Sequence, residues 1–189
     1  MRHDPPSPAT LGADIRAVRR SRGLTLAQLA DRLNRSVGWL SQVERDLSQP
    51  SITDLRHIAA ALDTTVSLLF GQTPAPAGEA GYIVRKSARR PIGSGEAGLI
   101  EELLSPDLTD DFEMVHSTFQ PRSRIGEVVT RPTQEVGYLI SGKLDLVISG
   151  HRFTVHPGDS FRIRGEPFEW INPYDTPAQA IWVIAPPVY

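Results

Sequence analysis

Arg131 and Glu135 stand four residues apart in a run rich in β-branched residues. A buried guanidinium needs a partner, and this one can pair with the carboxylate or bind an anionic ligand. Phe168 and Trp170 are two apart, so on a strand they share a face. Earlier in the chain lies Gln42, whose amide can both donate and accept hydrogen bonds. It is flanked by Ser36, Ser41 and Arg45, all hydrogen-bonding types. Nucleophilic and metal chemistry find less material. There is no cysteine, and of the five histidines His3 sits in a terminal tail and His57 on a helix beside the core. His151 and His156 flank the run 152–155 at turns. General acid–base work needs a base with a placed partner, and neither His116 nor Glu135 has a convincing one.

The elements that must position these residues differ in the two parts of the chain. Before residue 71 the period is helical. Leu11, Ile15 and Val18 share a face; Leu26, Leu29, Ala30 and Leu33 follow the i, i+3, i+4, i+7 spacing, as do Leu55, Ile58, Ala59 and Leu62. Thr25 precedes Gln28 by three and Ser51 precedes Asp54 by three, the signature of capping boxes. Five short helices are expected, over 10–21, 25–33, 36–45, 51–62 and 65–70. After residue 81 the period is nearer two. EVGYLISG, KLDLVISG, RFTVHPGD, SFRIRGEP, FEWINPYD and PAQAIWVIA are short β-rich runs broken by turn residues, the spacing of an antiparallel sandwich or barrel. Residues 71–81, rich in Gly, Pro and Ala, read as a linker, and the proline-rich residues 1–9 as a disordered tail.

Composition narrows the function classes. With 40% hydrophobic and 22% charged residues the chain is neither collagen-like nor globally disordered. No apolar run reaches the ~20 residues of a membrane span, and the first ten residues lack the apolar core of a secretory signal. A cytoplasmic location and no membrane partner are therefore expected. The net charge of −2 divides unevenly: residues 1–72 carry nine Arg against seven acids, and residues 73–189 carry eleven Lys/Arg against fifteen acids. A mildly basic, lysine-free start beside an acidic remainder suits a nucleic-acid module joined to something else.

The segment LTLAQLADRLNRSVGWLSQVERDLSQPS resembles the repressor-type (XRE/Cro-like) helix-turn-helix family through L-T-x-x-x-L-A, S-x-x-x-L-S-Q-x-E-R and P-S. The resemblance covers 10–70. It implies a lambda-repressor-like bundle whose third helix enters the DNA major groove. It places Val37, Gly38, Ser41 and Gln42 at base edges, Gln42 toward adenine and Val37 against a thymine methyl. Ser36, Trp39 and Arg45, with Thr25, then meet phosphates or sugars. Arg19 and Glu44 correspond to a structural ion bridge, while Arg16, Arg20, Arg22, Arg32 and Arg35 form a mainly solvated face. Asp46 stands where the family has Gly, with its charge toward the DNA side.

The segment EVVTRPTQEVGYLISGKLDLVI, followed by HPGDSFRIRGEPFEWIN, resembles the small cupin (cupin 2) β-barrels through Gly126, Glu135, Gly142, Gly150, Pro157, Gly158 and Asn172. The three histidine positions of that family hold Val129, Arg131 and Phe168. One carboxylate cannot hold a divalent ion alone, so no metal and no other cofactor is expected. The cup then offers Arg131, Glu135, Tyr138, His116, Phe168, Trp170 and Trp182 to a small-molecule effector of unknown identity.

Together these readings imply a multidomain α + β chain. Its N-terminal part is a five-helix bundle, and residues 82–189 form a C-terminal antiparallel β-barrel, the double-stranded β-helix of cupins. The implied function is sequence-specific binding of double-stranded operator DNA by a homodimer joined through the cupin, with no catalytic residues. Two alternatives follow from the same resemblance: the cupin as a ligand-free dimerisation scaffold, and an enzyme like the fosfomycin epoxidase group, whose iron ligands this chain lacks.

Overall fold

The computed structural model describes residues 10–64, 66–70, 76, 78–79, 81–92, 96–106, 108 and 110–188. The expected tail over 1–9 and most of the expected linker over 71–81 lie outside the described residues. The chain divides into two compact units, Met1–Arg90 with Ser105–Asp110 and Tyr189, and Pro91–Leu104 with Asp111–Val188.

The first unit is built from α1 (Leu11–Ser21), α2 (Leu26–Arg32), α3 (Val37–Val43) and α4 (Ile52–Ala61). Each starts where a hydroxyl side chain can accept from a free backbone N–H of the first turn. Thr10 accepts from Ala13 N, and Ser36 accepts from Trp39 N. Thr25 with Gln28 and Ser51 with Asp54 close reciprocal capping boxes. Each of these hydroxyls satisfies a donor that would otherwise be left open, so the four starts are set by single residues. The fifth expected helix is only a five-residue segment, α5 (Val66–Phe70). Five residues close barely one turn, which alone does not offset the cost of nucleation. The unit therefore has four full helices rather than five. Ile15, Val18, Leu29, Leu40, Val43, Leu55, Ile58 and Leu62 are buried together as its core.

The second unit is two antiparallel sheets. The six-stranded sheet has the order β1 (Arg90–Ile92), β2 (Leu99–Leu103), β3 (Glu113–Phe119), β10 (Ala178–Ala185), β5 (Gln134–Ser141) and β8 (Ser160–Arg164). The four-stranded sheet has the order β4 (Ser123–Arg124), β9 (Phe168–Asn172), β6 (Leu144–Ile148) and β7 (His151–Val155). The expected closed barrel is thus two open sheets: β1, β8, β4 and β7 remain edges. β4 is two residues long, too short to carry a continuous ladder around the seam.

Strand parity decides the core. On β3, Glu113, Val115, Ser117 and Phe119 are buried, and on β10 so are Ala178, Ala180, Trp182 and Ile184. Val115, Phe119 and the four β10 residues meet Leu139, Leu144, Leu146, Ile163, Phe168 and Trp170 in one cluster. Gly142 shows why a small residue follows β5. Its φ is +77°, and a Cβ there would lie 2.3 Å from Pro177 O. Asn172 is fully buried and works as a lock. Its amide nitrogen donates to Phe119 O and Thr176 O, both at 3.0 Å, and its oxygen accepts from Tyr174 N at 3.1 Å.

Candidate nucleic-acid interface and ligand recess

On α3, residues 37, 41 and 45 and residues 38 and 42 repeat at i+4, so they form one face. Val37, Gly38, Gln42 and Arg45 are exposed and Ser41 is half-buried, while Leu40 and Val43 turn inward. Ser36 and Thr25 are exposed at the starts of α3 and α2, each already holding a cap. The eight residues expected to meet DNA therefore occupy α3, its N-cap, the residue just past its C-cap and the N-cap of α2. Arg45 Nε donates back to Ser41 O at 3.2 Å, which leaves its Nη atoms to face outward.

The neighbouring arginines are sorted by what they touch. Arg19 forks onto Glu44, Nε to Oε1 at 2.6 Å and Nη2 to Oε2 at 2.9 Å, and its Nη1 reaches Leu24 O at 2.7 Å. This buried bridge ties α1 to the end of α3. Arg22 donates to Leu62 O and Asp63 O, and Arg32 donates to Ala61 O. Both supply donors to the open carbonyls at the C-terminus of α4. Arg35 lies over the Trp39 ring, 5.1 Å from its centroid, and pairs with Asp54 Oδ1 at 2.6 Å. Trp39 is half-buried beneath it. Arg16, Arg20, Arg32 and Arg35 are exposed and Arg22 is half-buried, so the face is mainly solvated as expected, while the carbonyl and carboxylate partners of Arg22, Arg32 and Arg35 lie on α4 or just past it. Asp46 has a structural partner as well. Its carboxylate accepts from Gly12 N at 2.9 Å and from the Thr10 hydroxyl. The charge caps α1, and the residue takes the left-handed conformation, φ +57°, that aspartate tolerates.

In the second unit, Arg131, Glu135, Phe168, Trp170 and Trp182 line one recess that opens to solvent. Phe119 stands edge-on to Trp170 at 4.9 Å, and Phe168 lies 6.4 Å from Trp182. Val129 and Phe168 form a backbone bridge with two 2.8 Å hydrogen bonds, so two of the three positions expected for histidine face each other as apolar residues. Glu135 Oε1 accepts from Thr133 Oγ1 at 2.7 Å and lies 3.9 Å from Arg131 Nη1. Valine, arginine and phenylalanine are not metal donors, and no described group of three His, Asp or Glu residues suits an ion. This donor set does not fit a cupin metal.

Tyr138 and His116 are not in the recess. On β5, Glu135, Gly137 and Leu139 face inward and Val136, Tyr138 and Ile140 outward. Tyr138 is three residues from Glu135, and odd spacing puts it on the opposite face. His116 alternates out of β3 in the same way, its Nδ1 3.7 Å from Glu102 Oε2. The sequence reading overlooked Glu101, which lines the recess and accepts from Ser117 Oγ at 2.9 Å. It also overlooked Glu113, buried on the inward face of β3. Burial, foremost, pushes the Glu113 carboxyl up to about 7, with the Glu101 and Glu135 charges adding to it against Val188 N–H and Arg131. Burial likewise raises Glu101, opposed by Ser117 and Arg131. A glutamate at the inward parity of a β-run was the available signal.

Sequence comparison supplies the family. A helix-turn-helix domain model matches residues 10–69, and a cupin domain model matches residues 115–184. The transcriptional regulator PuuR of Escherichia coli is 24% identical over 165 residues, 85% of this chain and 86% of that protein. This chain joins a helix-turn-helix domain to a C-terminal cupin domain. The immunity repressor of Bacillus phage phi105 is 41% identical to the helix-turn-helix regulator over 63 residues, 33% of this chain. The chain spans 44% of that repressor's length. For the cupin part, the structure of KdgF from a Halomonas species aligns with TM-score 0.50 at 16% identity, covering 58% of this chain and 96% of that one, a likeness of fold alone. The two curated relatives named here are a transcriptional regulator and an immunity repressor. No helix among its described residues is long and apolar enough to cross a membrane.

Proposed function

We propose that the protein is a DNA-binding transcriptional regulator that reads an operator with α3, pairs through its cupin domain and senses a small molecule in the recess. The observation that carries the DNA reading is the row of exposed residues on α3, with Leu40 and Val43 buried behind it. Gln42 is the base reader, Val37 packs on a thymine methyl, and Arg45, Ser36, Trp39 and Thr25 hold phosphates and sugars.

One module makes few phosphate contacts, and its affinity is modest and salt-sensitive. Two modules about one DNA turn (~34 Å) apart solve this. The outward face of the six-stranded sheet supplies the contact. Val136, Val183 and Met114 are neighbours in register, as are Tyr138 and Ile181. Val136 and Tyr138 are each 49% exposed. A second copy of the chain is the occupant this reading assigns to that face, since an isologous pair gives the two-fold symmetry of a palindromic operator.

The test is selection of bound duplexes from a random pool with the full chain, followed by footprinting. A two-fold pair of half-sites is expected. Gln42→Ala should cost about 1–3 kcal/mol and relax one base position, whereas Arg45→Ala should weaken all duplexes and lower the salt slope by about 1. No enrichment of any duplex sinks the reading.

A further inference from the structure

We infer that the recess of the cupin domain takes a small organic cation, a primary ammonium seated between Glu101 and Glu135 with its carbon chain against Phe168, Trp170 and Trp182. This rests on the proposed reading of the recess as a ligand site.

Glu135 is 1% exposed. Thr133 occupies one oxygen, and the other has no hydrogen-bond donor among the described residues and opens onto the recess that the side chain lines. A bound molecule can therefore supply the donor that this oxygen lacks. Glu101 is likewise held by Ser117 through one oxygen only. Among the described residues, Arg131 is the cation that lines the recess with them. It stands 3.9 Å from Glu135, too far for the paired hydrogen bonds a guanidinium prefers, and its side chain is 40% exposed. Acids outnumber bases, so an added positive charge is favoured and an added negative charge is opposed.

An ammonium carries three donors and no acceptor. That matches two half-satisfied carboxylates better than a hydroxyl does. The remaining walls are aromatic, and ring faces attract cations as well as covering methylenes. A metal ion fits worse, because no set of three donors surrounds the space.

The experiment uses the full chain, whose three tryptophans include Trp170 and Trp182 in the recess wall. Tryptophan emission and thermal unfolding are followed during titration with n-butylammonium, 1-butanol and butyrate at fixed ionic strength. The expected result is a saturable emission change and a raised Tm with n-butylammonium alone. Glu135→Gln and Glu101→Gln, each checked for folding by circular dichroism, should weaken it at least tenfold. An equal response to 1-butanol, or a stronger one to butyrate, overturns the cationic assignment while leaving the recess a ligand site. Silence with all three, while DNA still binds, overturns both the assignment and the sensing role.

Discussion

The Asp46 carboxylate accepts a hydrogen bond from the backbone N–H of Gly12 at 2.9 Å. It thereby caps the first turn of α1 from the loop after α3. The contact is tight. A Cβ on Gly12 would lie 2.4 Å from Val43 O and 2.9 Å from both Asp46 oxygens. Glycine at 12 and aspartate at 46 therefore depend on each other. The start of α1 is pinned to the end of α3, the helix assigned to DNA.

Removing the cap should loosen this joint. Asp46→Ala is expected to cost about 1 kcal/mol, the usual value of an N-terminal cap. Gly12→Ala should cost more, because the clashing atom is backbone. Urea unfolding measures both. Asp46→Gly should lose less than Asp46→Ala, since glycine relieves the positive φ. Wild-type stability in Asp46→Ala would show that the cap contributes nothing.

Glu44 and Arg19 form a bidentate pair whose side chains are 5% and 10% exposed. Glu44→Ala strands a buried guanidinium and should cost about 3–5 kcal/mol. The paired change Arg19→Met with Glu44→Leu should recover most of that loss, since neither charge is then buried alone. If Glu44→Ala unfolds at the wild-type urea midpoint, the bridge is not structural.

Glu113 makes stability depend on pH. Its folded-state pKa is raised from 4.5 to about 7 by burial, with the Glu101 and Glu135 charges contributing. The protonated form is the one the fold prefers. Its contribution is fully present below about 4.5 and is lost as pH rises through about 7. Glu113→Gln should remove this slope, so Tm between those limits changes less with pH than in wild type. An unchanged slope would place the proton elsewhere.

The pairing face also has a direct test. Val136→Asp with Tyr138→Asp puts two charges on the exposed side of β5 without touching the inward residues. Light scattering after gel filtration should report a dimer for wild type and a monomer for the variant. Weak, single-module DNA binding should accompany the loss. A variant that stays dimeric moves the interface to another face.

Local signals made the helical half legible from sequence. Thr25 with Gln28 and Ser51 with Asp54 act within three residues of chain, so their hydrogen bonds are decided by spacing alone. The same holds for Leu40 and Val43, buried by helical period, and for Gly142 in the turn after β5. Parity is legible too: Tyr138 stands at odd spacing from Glu135, which puts it on the opposite face of β5, outside the recess.

What only the tertiary structure decided are the contacts whose partners lie far apart in the chain. Gly12 with Asp46, Arg22 with the end of α4, and the meeting of Glu101, Glu113 and Glu135 behind Arg131 have no local pattern. Their geometry depends on how elements pack, and packing is a sum of many weak contacts that no short window contains. The open edges at β1, β8, β4 and β7 belong to the same class. Whether strands of the right period close into a barrel depends on register and shear around the whole sheet. The chemistry of the recess followed from that packing, because folding brought the acids together and left one Glu135 oxygen open to the recess.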